Sequence, residues 1–184
     1  MFGRAARTLV ASLCLCGLAV AAGASGIWLN VPFVKQEKDG CGAASIAMVM
    51  QYWLKQQARP VGVSAEAAEI QHALYAPQAH GIYASAMERY LREQGFRTFV
   101  FRGEWDDLKQ HLQKGRPLVV AVKPLQHVPL HYTVIAGLDS EQGLVLLNDP
   151  AVRKLLKQDR SSFEKAWNAA GNWTLLAVPQ WATR

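Results

Sequence analysis

Cys41 is the residue whose type and position most directly suggest chemistry. It follows an Asp39-Gly40 turn and precedes a long apolar run, residues 43–54, which predicts a buried helix. A thiol at a helix N-terminus is stabilised as thiolate, because the positive end of the helix dipole and free N–H groups lie beside it. Gln36, five residues upstream, can offer its side-chain amide to a developing oxyanion. Cys41 is therefore a candidate nucleophile, with Gln36 as the candidate oxyanion donor.

A cysteine nucleophile needs a base, and His131 is the best placed of the five histidines. It stands at the head of a strand-like run, Tyr-Thr-Val-Ile-Ala-Gly, whose apolar residues suggest burial. The other four lie in predicted helices or loops, where an exposed or locally bonded imidazole is the simpler interpretation; they are His72, His80, His111 and His127. We expect His131 to act as general base and acid.

Asp149 is the residue expected to orient that base. A turn-rich segment, residues 139–143, joins the strand that begins at His131 to the next strand, which predicts a hairpin. With the hairpin centred near Ser140, His131 lies opposite Asp149, and directly opposed residues share a face with Cβ atoms about 5 Å apart. A one-residue shift of the hairpin register would place Asn148, instead of Asp149, opposite His131. Alone, Asp149 would be interpreted more simply as a cap for the turn before a proline.

The first 24 residues predict a secretory signal peptide. Two arginines precede an apolar stretch, residues 9–21, and a small-x-small cleavage site ends at Ala24. The apolar stretch is short for a bilayer span, so cleavage is expected and retention as an anchor is the alternative. A lipoprotein interpretation of Cys14 and Cys16 is disfavoured, because leucine precedes each cysteine where a small residue is needed.

Cleavage would leave residues 25–184 as one domain in the periplasm or outside the cell, with no stable membrane span. That domain keeps one cysteine, Cys41, so it cannot form an internal disulfide. A lone thiol in an oxidising compartment favours a functional cysteine. Removing the two signal-peptide arginines lowers the net charge from +6 to +4, and the surplus is scattered. No basic stripe interleaved with aromatic residues is present, which argues against nucleic acid as a partner.

Helical patterns come first along the chain and locally pairing strand patterns come later, which predicts an α+β fold with a helical half against an antiparallel sheet. Ser64 is the expected N-cap of the second helix, and Ser161 with Glu164 is the expected capping box of the last. The predicted helices are residues 41–54, 65–75, 84–94, 105–114 and 162–169. The predicted strands are residues 96–101, 117–122, 131–138, 143–148 and 173–178.

Four blocks in this order resemble one known family. They are Gln36, then Cys41-Gly-Ala-Ala-Ser-Ile-Ala-Met-Val-Met, then His131-Tyr-Thr-Val-Ile, then Asn148-Asp149-Pro150. The chain is similar in these blocks to the bacteriocin-processing (double-glycine) cysteine peptidases. The similarity extends over residues 28–178 through Gly81, Gly95-Phe96, Pro117, Ser162-Phe163-Glu164 and Trp167.

The resemblance implies a papain-like fold with Cys41 as nucleophile, His131 as general base and acid, Asp149 as its orienter and Gln36 as oxyanion donor. Two departures concern the turn. The glutamine and cysteine are five residues apart where six is common, and Gly40 separates the aspartate from the cysteine, which are adjacent in the family. Many relatives form the first domain of an ABC exporter. This chain shows no membrane domain or ATPase motif and so resembles the stand-alone, exported branch.

The expected function is that of an exported cysteine endopeptidase working through an acyl-enzyme, without metal or organic cofactor. Its expected partners are a peptide or protein substrate, and an export system that it would serve. The resemblance implies cleavage after Gly-Gly. Two alternatives use the same fold. One is an amidase or acyl transferase acting on cell-wall peptide. The other is a non-catalytic binding module, which loss of Cys41, His131 or Asp149 would indicate, yet all three are present.

Overall fold

The computed structural model describes residues 26–124 and 129–180, in which an antiparallel sheet is covered by α-helices. The strands are β1 Gly26–Trp28, β2 Phe96–Arg102, β3 Leu118–Val122, β4 His131–Asp139, β5 Leu144–Asp149, β6 Arg153–Asp159 and β7 Trp173–Pro179. The helices are α1 Cys41–Gln56, α2 Ala67–Leu74, α3 Ala84–Glu93, α4 Trp105–Gln113 and α5 Arg160–Asn168. The predicted α+β class is confirmed.

The sheet separates two hydrophobic cores. Its strands run in the order β2, β7, β3, β4, β5, β6, with β1 paired to β4. One core lies between the sheet and α1–α3, where residues such as Ala121 and Val134 meet the buried side of α1. The other lies under α4 and α5, whose Leu108 and Phe163 are completely buried. Every residue of β3 is buried, as expected for a strand covered on both faces.

Helix α1 is the central element, and it begins at Cys41. All nine residues from Gly42 to Met50 are buried, as the apolar sequence predicted. Gly42 is required for this packing, since a Cβ there would lie 3.1 Å from the sulfur of Met87 and 3.5 Å from the ring of Tyr132. The start of α1, and with it Cys41, is thereby held tightly against α3 and β4.

The second helix starts later than expected. Ser64 was expected to cap it, but Ser64 lies inside a 3₁₀ turn, Val63–Ala65, and α2 begins at Ala67 after Glu66. The cause is Ala65, which is buried and whose carbonyl oxygen accepts a hydrogen bond of 2.9 Å from the side chain of Gln51. This anchor holds the turn apart from the helix.

The cap of α5 also differs from the expectation. The capping box of Ser161 and Glu164 does not form. Instead Asp159 caps the helix by accepting a 2.9 Å hydrogen bond from the N–H of Ser162, while Glu164 pairs with Arg160. A carboxylate one residue before the helix competes successfully with a hydroxyl, because it interacts better with the helix dipole.

Strand β6 was not predicted, and it forms one edge of the sheet. Its basic side chains Arg153, Lys154 and Lys157 are exposed and form part of the scattered positive charge. Leu155 has a left-handed φ of 51°, and the pairing with β5 is irregular, so the strand lacks the regular alternation that would reveal it.

The β4–β5 hairpin has a register two residues away from the predicted one. Val134 pairs with Asn148, so continuing the ladder by one residue places Thr133, rather than His131, opposite Asp149. Two features set this register. The turn starts at Asp139, whose carboxylate accepts the N–H groups of residues 141 and 142. An irregularity in the ladder just before Gly137 then shifts the pairing by one residue. An even shift preserves the face on which each side chain lies.

In the part of the chain that the structure describes, no helix is both long and apolar enough to cross a membrane. The predicted signal peptide lies outside the described residues.

Candidate active site

Cys41 is the first residue of α1 and is half-buried. The turn before it is formed by Asp39, which has a left-handed φ of 59°, and by a 3.0 Å hydrogen bond from the N–H of Gly40 to the carbonyl oxygen of Glu37. A Cβ on Gly40 would lie 3.1 Å from that oxygen. The additional glycine thus allows a tight turn that delivers Cys41 to the helix start.

His131 and Asp149 are in direct contact. Nε2 of His131 lies 2.8 Å from Oδ1 of Asp149, and their side chains are 20% and 14% exposed. They occupy diagonal positions on one face of the hairpin, so the contact survives the difference in register. Asp149 also accepts a 2.9 Å hydrogen bond from the N–H of Ala151, which fixes the carboxylate.

The His131 side chain also hydrogen-bonds the Cys41 thiol. Since Nε2 is engaged by Asp149, Nδ1 is the ring nitrogen left for the sulfur. Burial raises the pKa of Cys41. Hydrogen bonds from His131 and from the backbone of Tyr132 and Gly42, with the charge of His131, outweigh burial and lower that pKa below its ordinary value.

The other two groups are shifted in the complementary directions. Burial lowers the pKa of His131, but hydrogen bonds and charges from Asp149 and Cys41 dominate and raise it to about 9. Burial raises the pKa of Asp149, but the hydrogen bond and charge of His131 and the backbone of residues 151 and 152 bring it below its ordinary value. This pattern favours thiolate, imidazolium and carboxylate together near neutral pH.

Gln36 lies close to this group but does not line the same cavity as Cys41. Its backbone N–H donates a 3.0 Å hydrogen bond to the carbonyl oxygen of Pro150. Its side chain lines a small neighbouring cavity together with Gly40 and Gln71. The amide oxygen of Gln36 is buried and has no hydrogen-bond partner among the described residues. Its role as oxyanion donor stays a prediction.

Asn148 does not touch the histidine; it is a buried clamp. Its amide nitrogen lies 3.2 Å from the carbonyl oxygen of Val31 and 3.3 Å from that of Pro32. Its oxygen accepts a 3.0 Å hydrogen bond from the N–H of Leu155. Asn148 is fully buried, and its hydrogen bonds join β5, on which it lies, to residues 31–32 and to β6. The sequence indicated it only as a possible alternative orienter.

A cleft of about 430 Å³ opens beside Cys41. Besides Asp39 and Cys41, its lining comes from two segments: residues 79–84, and residues 129, 130 and 132. Tyr83 and Leu130, one from each segment, are 53% and 44% exposed. His80 also lines this cleft. Nothing in the sequence around His80 indicates that position.

The structure gives His72 and His111 no contact with Cys41. His72 is exposed on α2. His111, on α4, is half-buried, with its ring 5.9 Å from that of Phe101. His127 lies outside the described residues. Within residues 26–124 and 129–180, no cluster of three or more His, Cys, Asp or Glu side chains has metal-binding geometry.

A family model described as Peptidase_C39 like family matches residues 28–175. The chain belongs to this family. The resemblance to double-glycine peptidases is thereby confirmed. No curated protein matches the sequence of this Peptidase_C39-like chain.

Solved structures of C39 peptidases share the fold of this family member. A double glycine motif protease from an AMS/PCAT transporter, in complex with its leader peptide, is 22% identical with a TM-score of 0.63, covering 83% of this chain and 94% of its own. A candidate C39-like peptidase from Bacillus anthracis is 20% identical with a TM-score of 0.62, covering 83% and 97%. The peptidase domain of Streptococcus ComA, a bi-functional ABC transporter, is 20% identical with a TM-score of 0.60, covering 80% and 98%.

Proposed function

We propose that this Peptidase_C39-like protein is an exported cysteine endopeptidase that works through Cys41, His131 and Asp149. The observation that carries the proposal is the 2.8 Å hydrogen bond between His131 and Asp149, supported by the effect of the His131 imidazole, which lowers the pKa of the Cys41 thiol. A nucleophile, a base that acts on it and a carboxylate that orients the base are the groups that nucleophilic acyl transfer requires. The membership of a peptidase family favours the peptide bond as the target.

In the first step, the Cys41 thiolate attacks the carbonyl carbon of the scissile bond, and a C–S bond forms. The carbonyl electron pair moves to the oxygen, which accepts hydrogen bonds from the Cys41 backbone N–H and from the Gln36 amide. The His131 imidazolium donates its proton to the leaving nitrogen as the C–N bond breaks. The amine product departs and an acyl-enzyme remains.

In the second step, a water molecule gives a proton to neutral His131 and adds to the acyl carbon. The C–S bond then breaks, which releases a carboxylic acid and restores the thiolate and the imidazolium. Asp149 stabilises the imidazolium and holds the ring in the required orientation throughout. No step requires a metal or an organic cofactor.

We propose further that cleavage follows Gly-Gly. One structurally similar protein is a double glycine motif protease bound to its leader peptide. In this chain large side chains line the cleft, among them Ile82, Tyr83, Leu130 and Tyr132. Residues without side chains approach such walls more closely than any others.

The decisive experiment compares an unstructured Gly-Gly peptide with a twin that carries Ala-Ala at the same positions. The purified mature protein should cleave the Gly-Gly peptide faster than the Ala-Ala peptide. It should require a mild reductant, because its thiol is oxidisable, and its activity should be unchanged by EDTA. Cys41→Ala should abolish cleavage without changing the circular dichroism spectrum. Cleavage by Cys41→Ala would refute the peptidase mechanism, and equal rates on the two peptides would refute only the Gly-Gly preference. Turnover of cell-wall fragments but not of peptides would favour the amidase.

Export is proposed from the sequence of the first 24 residues. Expression of the full chain in a Gram-negative host, followed by fractionation and intact-mass measurement, should yield a periplasmic protein that begins at residue 25. A protein of full-length mass in the membrane fraction would instead support a retained anchor.

A further inference from the structure

Two buried amide oxygens beside the site have no donor among the described residues. They are Oε1 of Gln36 and Oε1 of Gln71. The two side chains line one cavity of about 70 Å³, whose wall also includes Gly40. Buried acceptors are nearly always paired in folded proteins, and a cavity of this volume is large enough for at least one water molecule.

The orientation of Gln71 is set from the opposite end of its amide. Its Nε2 lies 3.4 Å from the carbonyl oxygen of Asp39, the left-handed residue of the turn before Cys41. The amide nitrogen of Gln71 therefore donates to the turn. Its amide oxygen faces the cavity without a hydrogen-bond partner among the described residues.

This arrangement determines which atom Gln36 can present to a reacting carbonyl. If Gln36 rotated its amide to donate directly to Oε1 of Gln71, its own oxygen would face outward and would repel an oxyanion. In the structure the oxygen of Gln36 is the buried atom. Both oxygens can be satisfied together by a molecule with two donors. Of the charged residues on the cavity wall, Glu37 only accepts, and Lys35 donates to neither oxygen.

We propose that Gln71 is a positioning residue for Gln36. A water molecule in the shared cavity donates one hydrogen bond to Oε1 of each glutamine, and this bridge keeps Nε2 of Gln36 available to the oxyanion at Cys41. The inference rests on the proposed acyl-transfer function. It assigns a role to α2, which otherwise contributes no residue to the catalytic group.

The test separates two reactions of the same thiol. p-Nitrophenyl acetate acylates the cysteine: the sulfur bonds to the acetyl carbon, the ester C–O bond breaks, and nitrophenolate leaves. That reaction passes through an oxyanion. Alkylation by iodoacetamide displaces iodide at a saturated carbon and forms no oxyanion. Neither reagent requires the physiological substrate.

The variants are Gln71→Met, Gln36→Ala and the double substitution. Removing one oxyanion donor costs on the order of 10²- to 10³-fold in rate, so a misoriented donor should cost about tenfold or more. Gln71→Met should therefore slow the nitrophenolate burst about tenfold or more and leave the alkylation rate within about twofold. The double variant should match Gln36→Ala alone, because Gln71 acts through Gln36.

The matched control is Gln51→Met, which removes a different glutamine that donates to a backbone carbonyl, that of Ala65. It should leave both rates unchanged. Lys35→Met should also leave them unchanged if water, not the lysine, is the donor. Should Gln71→Met fail to fold, Gln71→Asn retracts the amide by one methylene and should give the same selective loss.

Three results would overturn the inference: a normal burst in Gln71→Met, an equal loss of alkylation, or a further loss in the double variant. Failure of the proposed function is distinguishable. In that case the wild-type protein itself would give no burst that depends on Cys41, while alkylation continued.

Discussion

The backbone N–H of Gln36 donates a 3.0 Å hydrogen bond to the carbonyl oxygen of Pro150. Gln36 precedes Cys41 by five residues, and Pro150 directly follows Asp149. One main-chain hydrogen bond therefore joins the segment of the candidate oxyanion donor to the segment of the candidate orienter. Asn148 strengthens the same junction through its hydrogen bonds to the carbonyl oxygens of Val31 and Pro32.

Asn148→Leu should destabilise the fold by about 3 kcal/mol. The substitution keeps the volume but leaves two carbonyl oxygens and one N–H without the partners that Asn148 provides, and each lost hydrogen bond costs about 1 kcal/mol. Equilibrium urea denaturation measures the change. Asn168→Ala, at an exposed position on α5, is the control and should stay within about 0.5 kcal/mol of wild type. Equal midpoints for the two variants would contradict the clamp.

Alkylation of Cys41 should be fast at pH values where a free thiol is still protonated. The pKa of Cys41 is lowered chiefly by the His131 hydrogen bond, against the effect of burial. In His131→Ala the hydrogen bond and the charge that lower the pKa of Cys41 disappear, while the burial that raises this pKa remains. The inflection of the iodoacetamide rate should then move upward, to the ordinary thiol pKa of about 8.5 or above. An inflection that is unchanged in His131→Ala would show that the imidazole does not stabilise the thiolate.

Peptide cleavage should follow a bell-shaped pH profile, because it needs both the thiolate and the imidazolium. The acidic limb reports the lowered pKa of Cys41, and the alkaline limb should fall near pH 9, where His131 loses its proton. Asp149→Asn removes the charge that raises the pKa of His131. The alkaline limb should therefore move to lower pH, and kcat should fall by roughly 10²- to 10⁴-fold without reaching zero, since an amide oxygen still orients the ring.

The control for Asp149→Asn is Asp106→Asn, which removes an exposed carboxylate on α4. It should leave kcat and both limbs in place. If Asp149→Asn reduced kcat but its alkaline limb coincided with that of wild type, Asp149 would not be the group that holds the proton on His131.

Gly137→Ala should destabilise the sheet where β1 joins β4. A Cβ at this position would lie 2.6 Å from the carbonyl oxygen of Ile27 and 2.8 Å from a methyl group of Leu146, so β1 would have to shift. Overpacking of this kind costs about 1–3 kcal/mol. Gly62→Ala is the matched control, because it has open space around the new methyl group and an ordinary φ of −86°. Thermal unfolding of both variants should show a lower midpoint for Gly137→Ala alone.

The sequence predicts the helices well and the register of the β4–β5 hairpin poorly, for physical reasons. Helices such as α3 and α4 can be predicted from the spacing of their apolar residues and from a glycine just after each end. Those glycines, Gly95 and Gly115, do have a positive φ. The hairpin register depends on which residue starts the turn. Asp139 starts it by capping two N–H groups with its carboxylate, which a sequence pattern does not reveal.

The candidate site was predictable only where neighbours in the chain are also neighbours in space. The predicted hairpin has His131 and Asp149 on one face. At their end of the ladder the register differs from the predicted one by two residues, an even number, so the structure does bring them together. Gln71 could not be found in this way. It is 35 residues from Gln36, and only the packing of α2 against the turn brings the two side chains to one cavity. The chemical roles of all these residues stay predictions.

Strand β1 pairs with the far end of β4, where Gly26 lies opposite Asp139, whereas His131 begins β4 at the other end. Nine residues of strand separate these ends by about 26 Å, at roughly 3.3 Å per residue. Any chain that precedes Gly26 therefore leaves the domain remote from the thiol. If such a segment tethered the protein to a bilayer, its point of attachment would lie at the opposite end of β4 from His131.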